Sequence, residues 1–152
     1  MQRRFFSGKS KDHEVKYEVL ISFDAKKIIS CSHAFVGSAH DLTIFRESGF
    51  SEHLLESEKI LADKGYIGDP SFLTPFRGHR DKLSEEQKAW NKIVAKRRIA
   101  IEHLFSRVKV FKFTDTDWRH EITKHEMCFL TLLNIINVDL VTRPIEIQEE
   151  YH

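Results

Sequence analysis

The chain has 152 residues, a length that fits one domain with a single core. Hydrophobic residues make up 41% of it and charged residues 31%, the composition of an ordinary globular protein. The formal net charge of +1 excludes a strongly basic protein. Any DNA contact must therefore come from local clusters of Lys and Arg, which occur at residues 3–4, 9–11 and 92–112.

The number of cysteines and the hydropathy of the sequence indicate the cellular location to expect for the protein. Two cysteines that lie far apart argue against a disulfide framework or a Cys-based zinc finger. The first residues lack the apolar segment of a signal peptide, and the longest apolar stretch, 128–141, is too short for a membrane span. We therefore expect an intracellular protein without membrane contact, in the nucleus of a eukaryote or in the cytoplasm or nucleoid of a bacterium.

Taken in chain order, the first predicted element is a β-hairpin. Residues 13–23 have apolar side chains at every second position, residues 24–27 are a short polar turn, and residues 28–36 form the returning strand. Residues 38–57 then favour a helix on one side of the hairpin, interrupted at Gly49.

The middle of the chain predicts a strand, a loop and a helix. The apolar run 59–63 ends in an acid and is typical of a short buried strand. Residues 67–82 contain two Gly and two Pro, which predicts a long ordered loop. Ser84 followed by Gln87 is a capping-box pattern, so a helix is expected to begin there and to continue to about residue 108.

The last elements are a brief extended piece at 110–113 and a helix at 121–141 that ends before Pro144. The acidic tail 143–152 is expected to fray. This order of strands and helices predicts an α/β domain, a sheet flanked by helices, over residues 1–142. Such a sheet would be more complete with another strand before residue 1.

Two acids, Asp63 and Glu102, lie at positions where a carboxylate could take part in catalysis. Asp63 follows an apolar strand, where a side chain points into the crevice at the sheet edge. Glu102 lies in a helix whose 100° steps place Arg98 and Lys109 in the same narrow sector. A neighbouring apolar stripe, which would pack on the sheet, consists of Val94, Ile101, Leu104, Phe105 and Val108. Glu102 is therefore expected to face a crevice between two bases.

Carboxylates in this arrangement suit the cleavage of phosphodiesters by two metal ions. Hard divalent cations prefer carboxylate oxygens, and two such ions activate water and stabilise the leaving oxygen. Bases beside the acids would hold backbone phosphates. Taken singly, each acid has an ordinary alternative: a Glu in a basic helix is usually a surface ion-pair partner, and an Asp after a strand is usually a turn former.

Four segments resemble, in order, the sequence blocks of DDE superfamily endonucleases, the Harbinger-type transposases and their bacterial insertion-sequence relatives. Residues 5–13 read Phe-Phe-Ser-Gly-Lys-Ser-Lys-Asp-His, and residues 37–48 begin Gly-Ser-Ala-His-Asp and end Phe-Arg-Glu-Ser. Residues 61–66 read Leu-Ala-Asp-Lys-Gly-Tyr. The fourth segment matches the Arg-x3-Glu-x6-Lys part of the transposase signature with Arg98, Glu102 and Lys109. The matches cover nearly all of residues 5–140.

The resemblance implies an RNase H-like fold, a mixed sheet flanked by helices, with three catalytic acids. Asp63 takes the place of the second acid and Glu102 that of the third, and both would bind Mg²⁺ or Mn²⁺. Asp41 competes with Asp63 for the second place. Asp63 is preferred because it follows a strand, whereas Asp41 stands at a helix start and would orient the site or cap the helix.

The resemblance also implies DNA as partner and self-association of the kind found in transposases. Six bases are the expected contacts to DNA phosphates: Arg98, Lys109, Arg97, Lys96, Lys9 and Lys11. Two residues beside the acids, His40 and Lys64, are expected to support the site.

The chain departs from the family pattern at two places. Ala95 stands where the signature has Tyr, and the family's first acid, in an Asp-Gly-Thr strand, has no counterpart here. We therefore expect a metal-dependent DNA endonuclease or transposase domain that lacks its first strand and is weak or inactive as this chain. The alternative is a domesticated remnant that binds DNA or protein without catalysis.

Overall fold

The computed structural model describes residues 6–7 and 12–147, with side chains from residue 14 onward except that of Arg80. Its strands are short and pair two by two. β1 (Phe6–Ser7) pairs antiparallel with β2 (Asp12–His13). The predicted hairpin follows, and it is confirmed. β3 (Val15–Lys16) pairs with β6 (Phe35–Val36), and β4 (Val19–Ile21) pairs with β5 (Ile28–Cys31), both antiparallel.

The regular strand pairing of the hairpin is interrupted at Glu18 and Ser32, but hydrogen bonds continue across the break. Between its two ladders, the backbone N–H of Glu18 donates to the Ser32 hydroxyl at 2.9 Å, and the Ser32 N–H donates to the Glu18 carbonyl at 2.8 Å. At its tip, the Ser22 N–H donates to the Lys27 carbonyl at 2.8 Å, and Ala25 adopts a positive φ of 57°. Buried backbone groups therefore keep partners across the break, as they must.

The helix predicted over 38–57 is shorter than expected. α1 (Asp41–Glu47) is followed by a 3-10 turn, Phe50–His53. The chain turns at Gly49, whose φ of 78° is the left-handed conformation that glycine adopts at least cost. The predicted interruption at this residue is therefore confirmed.

A short parallel pair follows α1. β7 (Ile60–Leu61) pairs with β8 (Phe72–Leu73), so the strand predicted at 59–63 is present but covers only two of those residues. The prediction of a loop throughout 67–82 is wrong at β8. Two residues between Pro70 and Pro75 carry no periodic signal, and the strand forms because β7 offers an edge to pair with.

The two long helices lie where the sequence predicts them. α2 (Glu85–Lys109) begins with the capping box, because Ser84 Oγ accepts from the Gln87 N–H at 3.2 Å and Gln87 Oε1 accepts from the Ser84 N–H at 3.1 Å. α3 (Ile122–Thr142) is the last helix. The extended piece predicted at 110–113 is wrong, because the chain forms a 3-10 turn at Lys112–Thr114.

The hairpin carries a hydrophobic cluster on each face. Val19 and Ile21 pack against a large core formed with α2 and α3, while Leu20 packs against a smaller core formed with α1, β7 and β8. The architecture is therefore α/β, with helices on both sides of the hairpin. The expected mixed sheet is not formed by the described strands, which make four two-stranded pairs, and two of these pairs, β3–β6 and β4–β5, belong to one hairpin.

The apolar stripe predicted on α2 is confirmed. Val94, Leu104 and Val108 are buried, as is Ala100. After α3, Ile145 is also buried in the large core, so the chain stays on the domain at the start of the predicted tail. Of the helices that the structure describes, none combines the length and apolarity needed to cross a membrane.

Candidate functional site

Two acids converge at the start of α1. The position that a β-carbon on Gly65 would occupy lies 2.8 Å from Asp41 Oδ2 and 3.0 Å from Asp63 Oδ1. Both carboxylates therefore reach the same point, and a side chain at residue 65 would have to displace one of them. Asp41 and Asp63, which compete as alternatives in the sequence, lie side by side in the fold.

The local structure of Asp63 explains where its carboxylate points. Asp63 follows β7 and is the N-cap of the 3-10 turn Lys64–Tyr66, and its Oδ1 accepts a hydrogen bond from the Gly65 N–H at 2.7 Å. Asp63 therefore forms a turn, which is the ordinary alternative role given for it above. The second carboxylate oxygen takes no part in this bond.

Lys16 supplies positive charge beside Asp41. Its Nζ lies 3.9 Å from Asp41 Oδ1 and donates to the Ala39 carbonyl at 2.9 Å. The ammonium is thus anchored where it offsets part of the charge of the carboxylate pair. His40 precedes Asp41 at the N-cap of α1, but its side chain makes no capping hydrogen bond.

A buried carboxyl lies next to the pair. The Tyr66 hydroxyl donates to Glu18 Oε1 at 2.8 Å, and Glu18 is buried. Burial raises the pKa of Glu18, the Asp41 charge raises it further, and the hydrogen bond from Tyr66 opposes both. Burial is also the main reason why the pKa of Tyr66 is raised, with a contribution from the charge of Glu18.

Sequence reasoning did not single out Lys16 and Glu18. They occupy the positions that alternate with Tyr17 and Val19, so the strand pattern assigns them to a solvent face. That face is instead covered by the small core, as the burial of Leu20 against it indicates. A charged pair next to an apolar residue on one strand face was the available signal, and it is a weak one.

Glu102 is paired with Arg98 rather than with the two aspartates. It is on the exposed flank of α2, with 63% of its side chain accessible, and its Oε1 is 3.7 Å from Arg98. Among the described side chains, no three of His, Cys, Asp and Glu come close enough together to hold a metal ion. The structure therefore joins Asp41 to Asp63, and it joins Glu102 to Arg98.

The bases expected to contact DNA differ in their surroundings. Arg98 and Lys109 are exposed, as is Lys64 beside the carboxylate pair. Arg97 is half-buried; its guanidinium lies 4.1 Å from the centre of the Phe23 ring and donates to the Phe23 carbonyl at 3.2 Å. Lys96 is half-buried. Lys9 and Lys11 lie outside the described residues.

Comparisons with known proteins identify relatives of the chain. A family model described as DDE superfamily endonuclease matches residues 1–137. The chain is 32% identical over 149 residues to a protein of Microchaete diplosiphon described as a probable transposase for insertion sequence element IS702. That alignment covers 93% of this chain and 52% of the relative, so the chain spans about half the relative's length. No solved structure matches.

Proposed function

Because the chain belongs to the DDE superfamily endonucleases, we propose that it is a metal-dependent catalytic domain. In this proposal the domain cleaves DNA phosphodiester bonds in transposition. The observation that carries the proposal is the convergence of Asp41 and Asp63 on one point beside Gly65. Two carboxylates that lie beside one point repel each other, and nearby cations reduce that repulsion. Lys16 is one such cation, and a divalent metal ion would be a second.

The carboxylate pair fits Mg²⁺ or Mn²⁺. Mg²⁺ in phosphoryl-transfer sites is usually held by one or two carboxylates, with water and substrate phosphates completing its coordination. Asp41 and Asp63 would supply those carboxylates. When bound, the ion would polarise the scissile phosphate and activate water. Asp63 orders the turn next to it through the Gly65 N–H, and Lys16 holds Asp41 from the other side.

We propose Glu102 as the further acid of the site, in the role that the resemblance implies. Its support is its position on the exposed flank of α2, where bound DNA would reach it, and its pairing with Arg98. Arg98 and Lys109 would contact backbone phosphates, together with the basic residues Lys96, Arg97, Lys9 and Lys11. Because the Phe23 ring and carbonyl already engage Arg97, that residue would contribute less.

The remaining roles are also proposals. His40 and Lys64 flank the carboxylate pair along the chain and would orient the incoming phosphate. An RNase H-like fold is supported by the α/β layering, with helices on both sides of a hairpin and a parallel strand pair packed with α1. DNA as partner implies an intracellular location, and self-association is expected as in other transposases.

A nicking assay tests the proposal. Supercoiled plasmid incubated with the chain and Mg²⁺ or Mn²⁺ is expected to become nicked only slowly, since weak activity is expected of this chain, and a chelator should prevent the nicking. Loss of a residue that only supports a metal ligand typically lowers activity by roughly 10–100-fold. Asp63→Asn and Glu102→Gln should each lower the nicking rate by more than that. Asp117→Asn, an exposed acid away from the pair, is the matched control and should retain the rate. Nicking that survives Asp63→Asn would contradict the assignment.

A second candidate function is DNA binding without cleavage. It is favoured by the observation that no three described acids or metal-binding side chains converge. This candidate predicts binding that falls steeply with salt and does not depend on Mg²⁺. A chain that binds DNA in this way, and that never nicks it, would be a binding module derived from a transposase.

A further inference from the structure

Glu18 is a buried acid that the proposed chemistry does not use. It is 8% exposed, and it sits at the break between β3 and β4, on the strand face that meets α1. One oxygen, Oε1, accepts from Tyr66, while Oε2 is buried without a hydrogen-bond partner in the part of the chain whose side chains are described. A buried polar atom without a partner costs free energy, so packing alone does not account for an acid here.

Tyr66 ends the turn that Asp63 caps. The turn Lys64–Tyr66 is tied at its start by the bond from the Gly65 N–H to Asp63 Oδ1 at 2.7 Å. It is tied at its end by the Tyr66 hydroxyl on Glu18 at 2.8 Å, and the Tyr66 ring packs on Phe72 with centroids 4.5 Å apart. Gly65 lies between the two ties, and a β-carbon there would meet both Asp41 Oδ2 and Asp63 Oδ1.

A shift of this turn would change the spacing of the two carboxylates. Asp63 moves with the turn, whereas Asp41 belongs to α1 and is held by Lys16. The Glu18–Tyr66 bond links the turn to the hairpin, which also carries Lys16. Asp41, through Lys16, and the turn after Asp63, through Glu18, are therefore both held by the same segment of the hairpin.

We propose that Glu18 and Tyr66 are positioning residues, which fix the turn Lys64–Tyr66 and thereby the spacing of Asp41 and Asp63 for a divalent cation. This inference rests on the proposed metal-dependent function. Neither residue would touch the cation. Partners of this kind, which hold the groups that bind a metal, commonly change metal affinity 10–100-fold when they are removed.

Glutamine gives a control for this role, because it keeps the shape of the Glu18 side chain. Its carbonyl oxygen can accept the Tyr66 hydroxyl. Glu18→Gln is therefore the matched control for Glu18→Ala.

The test measures Mn²⁺ affinity of the whole chain by titration calorimetry, with thermal unfolding to verify the fold of each variant. Glu18→Ala and Tyr66→Phe are expected to raise the Kd for Mn²⁺ about 10-fold or more. Glu18→Gln should stay within about threefold of the unsubstituted chain, because it keeps the hydrogen bond. Tyr66→Phe removes a single oxygen, so it still tests the inference if Glu18→Ala does not fold.

Asp63→Asn distinguishes failure of the metal site from failure of the positioning role. If Asp63→Asn leaves the Mn²⁺ affinity unchanged, the metal site itself is wrong. If Asp63→Asn abolishes binding while folded Tyr66→Phe and Glu18→Ala bind as tightly as the unsubstituted chain, the metal site stands and the positioning role is wrong. A Glu18→Gln variant that folds but binds as weakly as Glu18→Ala would also overturn the inference.

Discussion

Single residues of the site differ in how far their sequence context reveals them. Asp63 is recognisable because a short apolar run ends in it, and the structure places it directly after β7. Glu18 is not recognisable, because strand alternation assigns it to solvent while tertiary packing buries that face. The pairing of Asp41 with Asp63 was also beyond the sequence, since it depends on how α1 docks beside the turn at Gly65.

Gly65 provides the test at this scale. A β-carbon there would lie 2.8 Å from Asp41 Oδ2, closer than real contacts allow, so Gly65→Ala must push at least one carboxylate aside. We expect weaker Mn²⁺ binding with little change in melting temperature, because residue 65 is exposed and its φ is not positive. Titration calorimetry and thermal unfolding measure the two effects. Gly68→Ala is not a matched control, since Gly68 has a φ of 108°.

Ser57→Ala, at an exposed residue outside α1 and the turn Lys64–Tyr66, is the better control and should leave both quantities unchanged. Mn²⁺ affinity that survives Gly65→Ala would mean that the two carboxylates do not act together.

Among the elements, the long helices are the most predictable. α2 begins where its capping box indicates, because Ser84 and Gln87 satisfy backbone donors locally, and such a cap stabilises a helix by about 1 kcal/mol. β8 is the opposite case. Two residues without a pattern become a strand only because β7 presents an edge, and no local signal carries that information.

The contact between α3 and the hairpin predicts a pH dependence. The Tyr17 hydroxyl lies 2.7 Å from Nδ1 of His125, and burial lowers the pKa of this histidine while a hydrogen bond to the Phe113 backbone opposes. The neutral ring is therefore favoured in the folded state. Its contribution to stability is present above the ordinary pKa of 6.5 and is lost as pH falls through the lowered folded value.

We expect the free energy of unfolding, measured in urea at several pH values, to fall as pH decreases below about 6.5. His125→Asn should flatten this part of the profile, since an amide can replace Nδ1 as acceptor but does not titrate. The matched control is His53→Asn, at an exposed histidine, and it should leave the slope as it is. An unchanged slope in His125→Asn would assign the acid sensitivity to other groups.

For the whole molecule, the order of elements was enough to predict an α/β arrangement, and the layering confirms it. Two separate cores on opposite faces of the hairpin could not be predicted, because the strand pattern marks only the face with Val19 and Ile21 as buried. The second core matters for function, since it places α1 and the turn at Gly65 next to each other. The candidate site is thus a product of the long-range packing that single-sequence patterns describe least well.

The central claim is that Asp41 and Asp63 together hold a divalent cation, and Mn²⁺ titration of the chain with each acid neutralised tests it most directly. Asp41→Asn and Asp63→Asn are each expected to remove saturable binding, while Asp117→Asn, at an exposed acid away from the pair, retains it. If either Asp41→Asn or Asp63→Asn binds Mn²⁺ as tightly as the unsubstituted chain, the two carboxylates do not form the site.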